Sequence, residues 1–389
     1  MNQKVSQTST PDRPTDHRNL NLDQFHLDVI RGRAGGKIIW QPRILAWYSD
    51  KIFDREPLPE PYTGMSLSQL YRALGCSNRV YDYNAAFRCE EDPQVTFSHL
   101  PLSPAEYELR WDTPVGSQHA VYRISEYSPW HIPLKWPISD EQEMKVAAWR
   151  AERTIWSWDQ AAFDSVLTEW GGLGAPTMHF GRTTIQQLYV SDMGVEAAIY
   201  ALHDYPATCE HYFESLTRSQ EQLIEVINAS PVHIINFGDN IHSSTASPDL
   251  FEKYILPVCQ RRCELLHAAG KFVTAHWDGN CKPLLPYARE TGLDGIEAIT
   301  PLPQGDVTLE ETRVALGDMF LLDGIPAVYF DHTYSEQTLI DSARKCIDLF
   351  APHLILGVSD EVSSHGDIER VRLVGEIVDD YNASLGTGM

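Results

Sequence analysis

Short apolar runs that stop abruptly at polar residues recur along the second half of the chain. The clearest begins at Lys271 and ends in His-Trp-Asp-Gly-Asn at residues 276–280. Four further runs carry an acid within them or directly after them. Such runs are typical of strands buried on both faces of a parallel sheet. The five predicted strands cover residues 232–240, 271–280, 295–299, 319–324 and 354–361.

Helix-like segments separate these runs. The segment before Lys271 has a strong start at Ser247-Pro248-Asp249 and a stop at Gly270. Strand and helix alternating at this spacing predict an α/β protein with right-handed crossovers. We therefore expect a (βα)8 TIM barrel, in which groups at the carboxyl ends of the strands converge on one mouth.

The first half of the chain is less regular. Residues 1–20 are polar and predict a flexible tail, and residues 21–389 predict a single barrel domain with an N-terminal extension. Within it, residues 94–136 alternate in a strand-like way around a turn at 113–117, which indicates an antiparallel hairpin insertion. Lys37–Arg43 reads as a first strand, and Thr154–Trp158 as the start of the barrel rhythm.

Charge and composition exclude several classes of protein. The 389 residues contain 54 acids against 31 Lys and Arg, a net charge of −23 that repels phosphate backbones and argues against nucleic-acid binding. No apolar run reaches the roughly 18 residues of a membrane helix. Residues 1–14 lack the apolar centre of a signal peptide, so we expect a cytoplasmic protein with no membrane partner.

The seven cysteines do not indicate a disulfide framework, because their number is odd and no Cys-x-x-Cys pair exists. Cys259, Cys263 and His267 share one face of a predicted helix. They could hold a metal, but the core stripe of a helix is the better interpretation, because cysteine is commonly buried.

The predicted strand ends bring one histidine together with several acids. An imidazole with two or three carboxylates makes a credible divalent-metal site. Glu297 is informative because it interrupts an apolar run, and burying its charge costs several kcal/mol unless the group is paired or metal-bound. A salt bridge to Arg313 or Arg182 is the alternative to a metal. The groups gathered at the strand ends are His276 with Asp239, Asp278, Glu297, Asp323, Asp360 and Glu361.

Several motifs resemble the uroporphyrinogen decarboxylase superfamily over residues 230–380, and more weakly over 113–230. They are Phe237-Gly238-Asp239 followed by Ser247-Pro248-Asp249-Leu250-Phe251, then His276-x-x-Gly279-Asn280, Leu293-Asp294-Gly295 and the closing strand at 354–361. The resemblance implies an eight-stranded βα barrel but does not fix the reaction. The Arg-Gln-Ala-Gly-Arg segment that grips porphyrin carboxylates is absent, since the nearest residues are Arg33–Lys37 and Trp40–Arg43.

Within the superfamily, the chain resembles the zinc-dependent corrinoid methyltransferase branch. His276 matches the His of that branch's His-x-Cys motif, with Asp278 in place of the first Cys and Asp360 near the second. Glu297 resembles the Glu of cobalamin-independent methionine synthases. The replacement of the thiolate ligands by carboxylates resembles the first methyltransferases of O-demethylase systems. The resemblance thus implies Zn²⁺ held by His276, Glu297 and Asp360, with Asp278, Asp323 and Glu361 as competing ligands.

The implied reaction moves a methyl group from a methyl ether, such as a methoxylated aromatic compound, to the cobalt of a corrinoid. Zinc would act as a Lewis acid on the ether oxygen. The chain has no Asp-x-His-x-x-Gly segment, so the corrinoid would come on a separate protein. Two alternatives stay open: a decarboxylase of a non-porphyrin acid on the same barrel, and a non-catalytic binding subunit. The expected catalytic residues are Asp239 and His276, and the expected substrate-stacking residues are Trp277, Trp40 and Tyr189.

Overall fold

The computed structural model describes residues 21–386. The predicted tail, residues 1–20, lies outside the described residues. The polypeptide begins with α1 (Leu22–Ile30), β1 (Ile39–Trp40), α2 (Leu45–Phe53), α3 (Leu67–Leu74), β2 (Phe87–Glu90), β3 (Thr96–Ser103), β4 (Glu106–Thr113), β5 (Gly116–Ile124), β6 (His131–Lys135), α4 (Glu141–Ala151), β7 (Ile155–Trp158) and α5 (Gln160–Trp170).

Strands and helices then alternate to the end of the chain. The elements are β8 (Thr177–Phe180), α6 (Thr184–Gln187), α7 (Val195–Asp204), α8 (Pro206–Ala229), β9 (Ile234–Ile241), α9 (Pro248–Leu250), α10 (Leu256–His267), β10 (Phe272–Trp277), β11 (Gly295–Glu297), α11 (Leu309–Leu316), β12 (Phe320–Pro326), α12 (Glu336–Phe350), β13 (Leu354–Ser359) and α13 (Ile368–Leu385).

Seven parallel strands form one curled sheet in the order β1-β13-β12-β11-β10-β9-β8, which fits a TIM-barrel-like fold. The pairing is open between β1 and β8. The segment at Ser77 and Asn78 lies in this gap, since Ser77 N donates to Trp40 O (2.9 Å) and Asn78 N donates to Leu173 O (2.7 Å). Arg79 is the next residue, so its side chain extends from between the two edges of the sheet.

The bounds of one predicted strand were wrong, and a second predicted strand lies outside the curled sheet. The first strand is confined to Ile39–Trp40 instead of Lys37–Arg43. The strand predicted at Thr154–Trp158 exists as β7 but pairs antiparallel with β2, outside the curled sheet. Ile155 is 58% exposed, so this strand lacks the two buried faces that a barrel strand has.

Residues 96–135 form a four-stranded antiparallel sheet, β3-β4-β5-β6, instead of a single hairpin. We call this sheet the arm. It packs on α4, where Ala120 is fully buried and Lys135 Nζ lies 2.8 Å from Glu143 Oε1. Arg150 of α4 lies over the Trp111 ring at 4.4 Å.

The helices begin and end where their sequences predict. Ser66 caps α3 in a capping box with Gln69, and Gly75 ends it with left-handed backbone. Ser247 caps α9, where its side chain accepts from Leu250 N. The core lies between the curled sheet and the surrounding helices. Among residues 21–386, no helix combines the length and apolar character of a membrane span.

Candidate functional site

The carboxyl ends of the parallel strands turn sharply. Five non-glycine residues in the described part of the chain have positive φ, and three of them lie at these ends: Asn240 (53°), Ala298 (65°) and Asp360 (74°). A fourth, Asp323 (80°), lies within β12. Left-handed backbone at non-glycine residues is disfavoured and tends to cluster at functional sites. We call the space enclosed by these ends the mouth.

Strand register brings His276 and Glu297 together in the mouth. They are direct partners on the neighbouring strands β10 and β11, and both side chains point to the inner face. His276 Nδ1 lies 3.5 Å from Glu297 Oε2. Two ligands of one tetrahedral zinc ion lie roughly 3.3 Å apart, so this separation is compatible with a shared ion.

Glu297 is buried and surrounded by hydrogen-bond donors. It forms an ion pair with Arg79 and a longer one with Arg43 (Nη1 to Oε1, 3.3 Å). Asn236 Nδ2 donates to Oε2 at 2.5 Å. Burial alone would raise the pKa of Glu297, but the two guanidinium groups hold it well below its usual range. The salt-bridge alternative is therefore present, with partners other than the expected Arg313 or Arg182.

Arg79 joins this acid to a second one, Asp323 of β12. Its Nη2 lies 2.5 Å from Asp323 Oδ1, and its Nε donates to Gln41 Oε1 at 2.9 Å. Burial raises the pKa of Asp323 more than Arg79 lowers it, and the charge of Glu297 raises it further. Gly357 provides the room for this acid, because a Cβ there would approach Asp323 Oδ1 more closely than 3.0 Å.

Arg43 lies above this network, nearer to solvent. Its side chain is 19% exposed, and its Nη1 lies 3.4 Å from His276 Nδ1. Its Nε is 3.4 Å from Glu361 Oε1. All of these distances are long, so the guanidinium is held loosely and keeps donors for a ligand.

Three further predicted acids, Asp239, Asp278 and Asp360, have surroundings of their own. Asp239 accepts from the backbone and the hydroxyl of Thr183, the latter at 2.9 Å, while its Oδ2 is buried without a partner in the described chain. Burial raises the pKa of Asp239. Asp278 follows β10, where its N donates to Ile241 O (3.1 Å). Asp360 is exposed and lies in the left-handed turn after β13.

The donor set fits zinc only in part. Two of the three predicted ligands, His276 and Glu297, meet at a suitable separation, but Arg43 lies beside both. Within residues 21–386, no group of three His, Cys, Asp or Glu side chains is arranged to hold a metal ion. A catalytic zinc takes three protein ligands, so this arrangement does not by itself form such a site. Zinc binding stays a prediction.

The three predicted stacking residues belong to the core. Trp277 is fully buried and meets the edge of Phe251 with ring centroids 5.4 Å apart. Trp40 donates its Nε1 to Val371 O at 3.1 Å. Tyr189 is 2% exposed, and burial raises its pKa to about 12. Their roles in substrate binding remain untested.

Sequence reasoning missed three residues of the mouth: Arg79, His179 and Tyr81. Tyr81 directs its hydroxyl towards Glu297 Oε1 (3.5 Å), and its ring meets the edge of the His179 ring at 5.1 Å. Arg79 lies on irregular backbone and Tyr81 begins a short 3₁₀ helix, Tyr81–Ala86, and neither has a periodic signal. Gly238 was a usable signal, because a glycine inside a strand often marks the close approach of another group.

Comparison with known proteins is consistent with this fold. A family model described as uroporphyrinogen decarboxylase (URO-D) matches residues 171–381. No curated protein sequence matches the chain.

Among solved structures, a methyltransferase from Methanosarcina mazei is similar at 11% identity with a TM-score of 0.56, covering 93% of this chain and 99% of that one. A B12-independent methionine synthase from Shewanella sp. W3-18-1, in complex with selenomethionine, is 11% identical and covers 90% of this chain and 97% of its own, but its TM-score is only 0.43. At such identities the first likeness shows the fold alone, and the second carries no argument.

Proposed function

The chain belongs to the uroporphyrinogen decarboxylase family, and from that premise we propose that its mouth catalyses methyl transfer. The donor is a methyl ether, such as a methoxylated aromatic compound, and the acceptor is the cobalt of a corrinoid on a separate protein. The observation that carries this proposal is the pairing of His276 with Glu297 beside Arg43. The full-length likeness to a methyltransferase supports it at the level of the fold.

An ether does not readily release a free alkoxide, so its oxygen must be protonated or otherwise stabilised as the carbon–oxygen bond breaks. His276 directs Nδ1 towards Glu297 (3.5 Å), which leaves Nε2 for the substrate. A carboxylate at Nδ1 orients the imidazole ring, as in other His–carboxylate pairs. His276 then acts as the general acid: the carbon–oxygen bond breaks, the oxygen takes the proton from Nε2, and the methyl carbon bonds to cobalt(I), which supplies the electron pair.

Arg43 stabilises the same oxygen electrostatically. Its guanidinium lies 3.4 Å from His276 Nδ1 and is only partly exposed. A positive charge beside the developing phenolate lowers the barrier where the negative charge forms. If zinc binds His276 and Glu297, it would act as the Lewis acid at this oxygen in place of the proton from His276.

The direct test mixes the purified protein with cobalt(I) cobalamin and a panel of methoxyarenes without oxygen. We expect the absorbance of methylcobalamin to rise with at least one donor. His276→Ala should lower the rate by roughly 10²–10⁴, the usual contribution of a positioned general acid. His203→Ala is the matched control, because His203 is 88% exposed and should leave the rate unchanged.

A flat trace across methyl ethers, methylamines and thioethers would contradict methyl transfer. Metal analysis of the same preparation addresses the ion separately. About one zinc per chain, lost in both His276→Ala and Glu297→Ala, would support the predicted ligands. An active preparation without metal would leave the acid catalysis in place and remove zinc from the scheme.

A second candidate is decarboxylation of a non-porphyrin acid. Arg43 favours it, because a guanidinium with spare donors matches the two oxygens of a carboxylate. The test is release of CO₂ from aromatic carboxylic acids, with Arg43→Lys against Arg43→Met. We expect Lys to keep part of the binding through its charge, while Met should raise KM strongly.

A further inference from the structure

His179 lies in the mouth but has no part in the reaction described above. It stands in β8, opposite Asn236 of β9. Asn84 fixes the backbone there, since His179 N donates to Asn84 Oδ1 (2.9 Å) and Asn84 Nδ2 donates to His179 O (2.7 Å). The residue therefore has a clamped main chain from which only the imidazole extends.

The imidazole is held on two sides. Tyr81 meets it edge-on, with ring centroids 5.1 Å apart. On the other side lies Gly238, where a Cβ would overlap Nε2 and Cε1 of the ring, well below the 3.0 Å that real Cβ atoms keep. Gly238 does not have positive φ, so its backbone does not require glycine. Glycine is required there because a Cβ would occupy the space of the His179 ring.

The ring nitrogens are nevertheless unused. Neither hydrogen-bonds another group within residues 21–386, although the ring is only partly exposed. Burial lowers the pKa of His179; Glu297 opposes this shift, and Arg182, His276 and Arg43 add to it. The imidazole is therefore neutral near pH 7 and offers one acceptor nitrogen. An ordered but unpartnered acceptor beside other polar side chains is what a ligand-binding group requires.

We infer that His179 is a substrate-contacting residue, which accepts a hydrogen bond from an uncharged donor such as a hydroxyl group, and that Gly238 exists to hold its ring. This inference rests on the mouth being the binding site of the proposed function. It does not depend on methyl transfer, so the two can fail separately.

The experiment uses the full chain with ¹³C-labelled histidine rings and two probes of similar size. Phenol carries a hydroxyl donor, and anisole has the same ring without one. We expect phenol to bind about five-fold more tightly than anisole, the worth of one hydrogen bond, and to shift the Cε1–H signal of His179. His179→Phe assigns that signal by its loss and should make the two probes bind equally.

Gly238→Ala provides an independent variant, because it keeps the histidine and displaces its ring. We expect it to move the Cε1–H signal without ligand and to weaken phenol binding about five-fold, with anisole unchanged. This variant tests the role of the His179 ring even if His179→Phe does not fold. A His179 signal that phenol leaves unmoved, or Gly238→Ala binding phenol as the wild type does, would overturn the inference. If phenol binds and shifts the His179 signal but no methylcobalamin forms, methyl transfer is contradicted and the role of His179 is not.

Discussion

Arg79 is the residue on which two buried acids depend. It is 5% exposed and pairs with Glu297 and Asp323, which are 1% and 0% exposed. A buried ion pair adds little net stability over an apolar core, but removing one partner leaves a charge in a medium that cannot solvate it. The three groups must therefore be treated as one unit, since changing one changes the pKa of the others.

Arg79→Met should lower the free energy of unfolding by about 3–5 kcal/mol, because it leaves the buried Asp323 without its cation and Glu297 with only the longer ion pair to Arg43. Urea denaturation followed by circular dichroism measures this. Arg372→Met is the control: Arg372 is 46% exposed beside Glu369 and Glu376, so its loss should cost under about 1 kcal/mol. A loss of under 1 kcal/mol in Arg79→Met would mean that water reaches both acids.

Asp192 gives a prediction for pH. Burial raises its pKa from the ordinary 3.8 to about 6, against the hydrogen bonds from Tyr212 and Gln187. The folded state then binds more protons than the unfolded state between these values, so stability falls as pH rises from about 4 to about 6. Asp192→Asn should remove this slope, worth about 2–3 kcal/mol, from thermal melts run across that range. If the dependence of stability on pH is unchanged in Asp192→Asn, a group other than Asp192 titrates in this range.

Part of the site could be predicted from sequence because it lies on regular strands. Glu297 interrupts an apolar run, and strand order places it beside His276, so their meeting followed from pattern and parity. The pattern also predicted Asp360 as a ligand, but within residues 21–386 no group of three such side chains is arranged to hold a metal ion, so that role stays a prediction. Arg79 was missed because it lies on irregular backbone in the gap of the sheet. The alternation of strand and helix predicted the curled sheet itself.

At the scale of elements, close contact between strands depends on small residues. Gly357 of β13 faces Asp323 of β12, and Gly238 of β9 faces His179 of β8. Each glycine lies beside a polar side chain of the adjacent strand. At these two positions the missing Cβ leaves the space that the polar side chain fills, which keeps the interior closely packed.

Gly357→Ala should destabilise the protein by about 1–3 kcal/mol, because its methyl group would push Asp323 away from Arg79. Chemical denaturation compares it with Gly386→Ala, where the nearest atom would lie 3.6 Å from the new Cβ. We expect that control to stay within about 0.5 kcal/mol of the wild type. Equal stability of both variants would show that the strands adjust at no cost.

At the scale of the whole molecule, the two halves of the chain build one centre. The family match covers residues 171–381, yet β1, Gln41, Arg43 and Arg79 come from outside it. The arm, in contrast, contacts the rest mainly through α4. The N-terminal extension is thus part of the functional site, while the arm is an attachment to one helix.

A fragment of residues 153–389 should accordingly fail to fold cooperatively, because it lacks β1 and leaves Glu297 and Asp323 unpaired. Co-expression with residues 1–152 should restore a cooperative thermal transition. As a control, replacing residues 94–136 by a short Gly-Ser linker should preserve that transition. A stably folded 153–389 fragment would contradict this view of the centre.

The pairing of β1 with β13 has a consequence for biosynthesis. Ile39 pairs with Ile355, and Arg79 meets partners 218 and 244 positions later in the chain. Contacts of such sequence separation form slowly. The pairing of β1 with β13 cannot form before the last strand has left the ribosome, and Arg79 waits for residues 297 and 323. A nascent chain must therefore keep an unpaired strand in solution for nearly the whole of translation, and an unpaired cation for most of it. Chaperone demand should consequently rise with any pause near the 3′ end of the message.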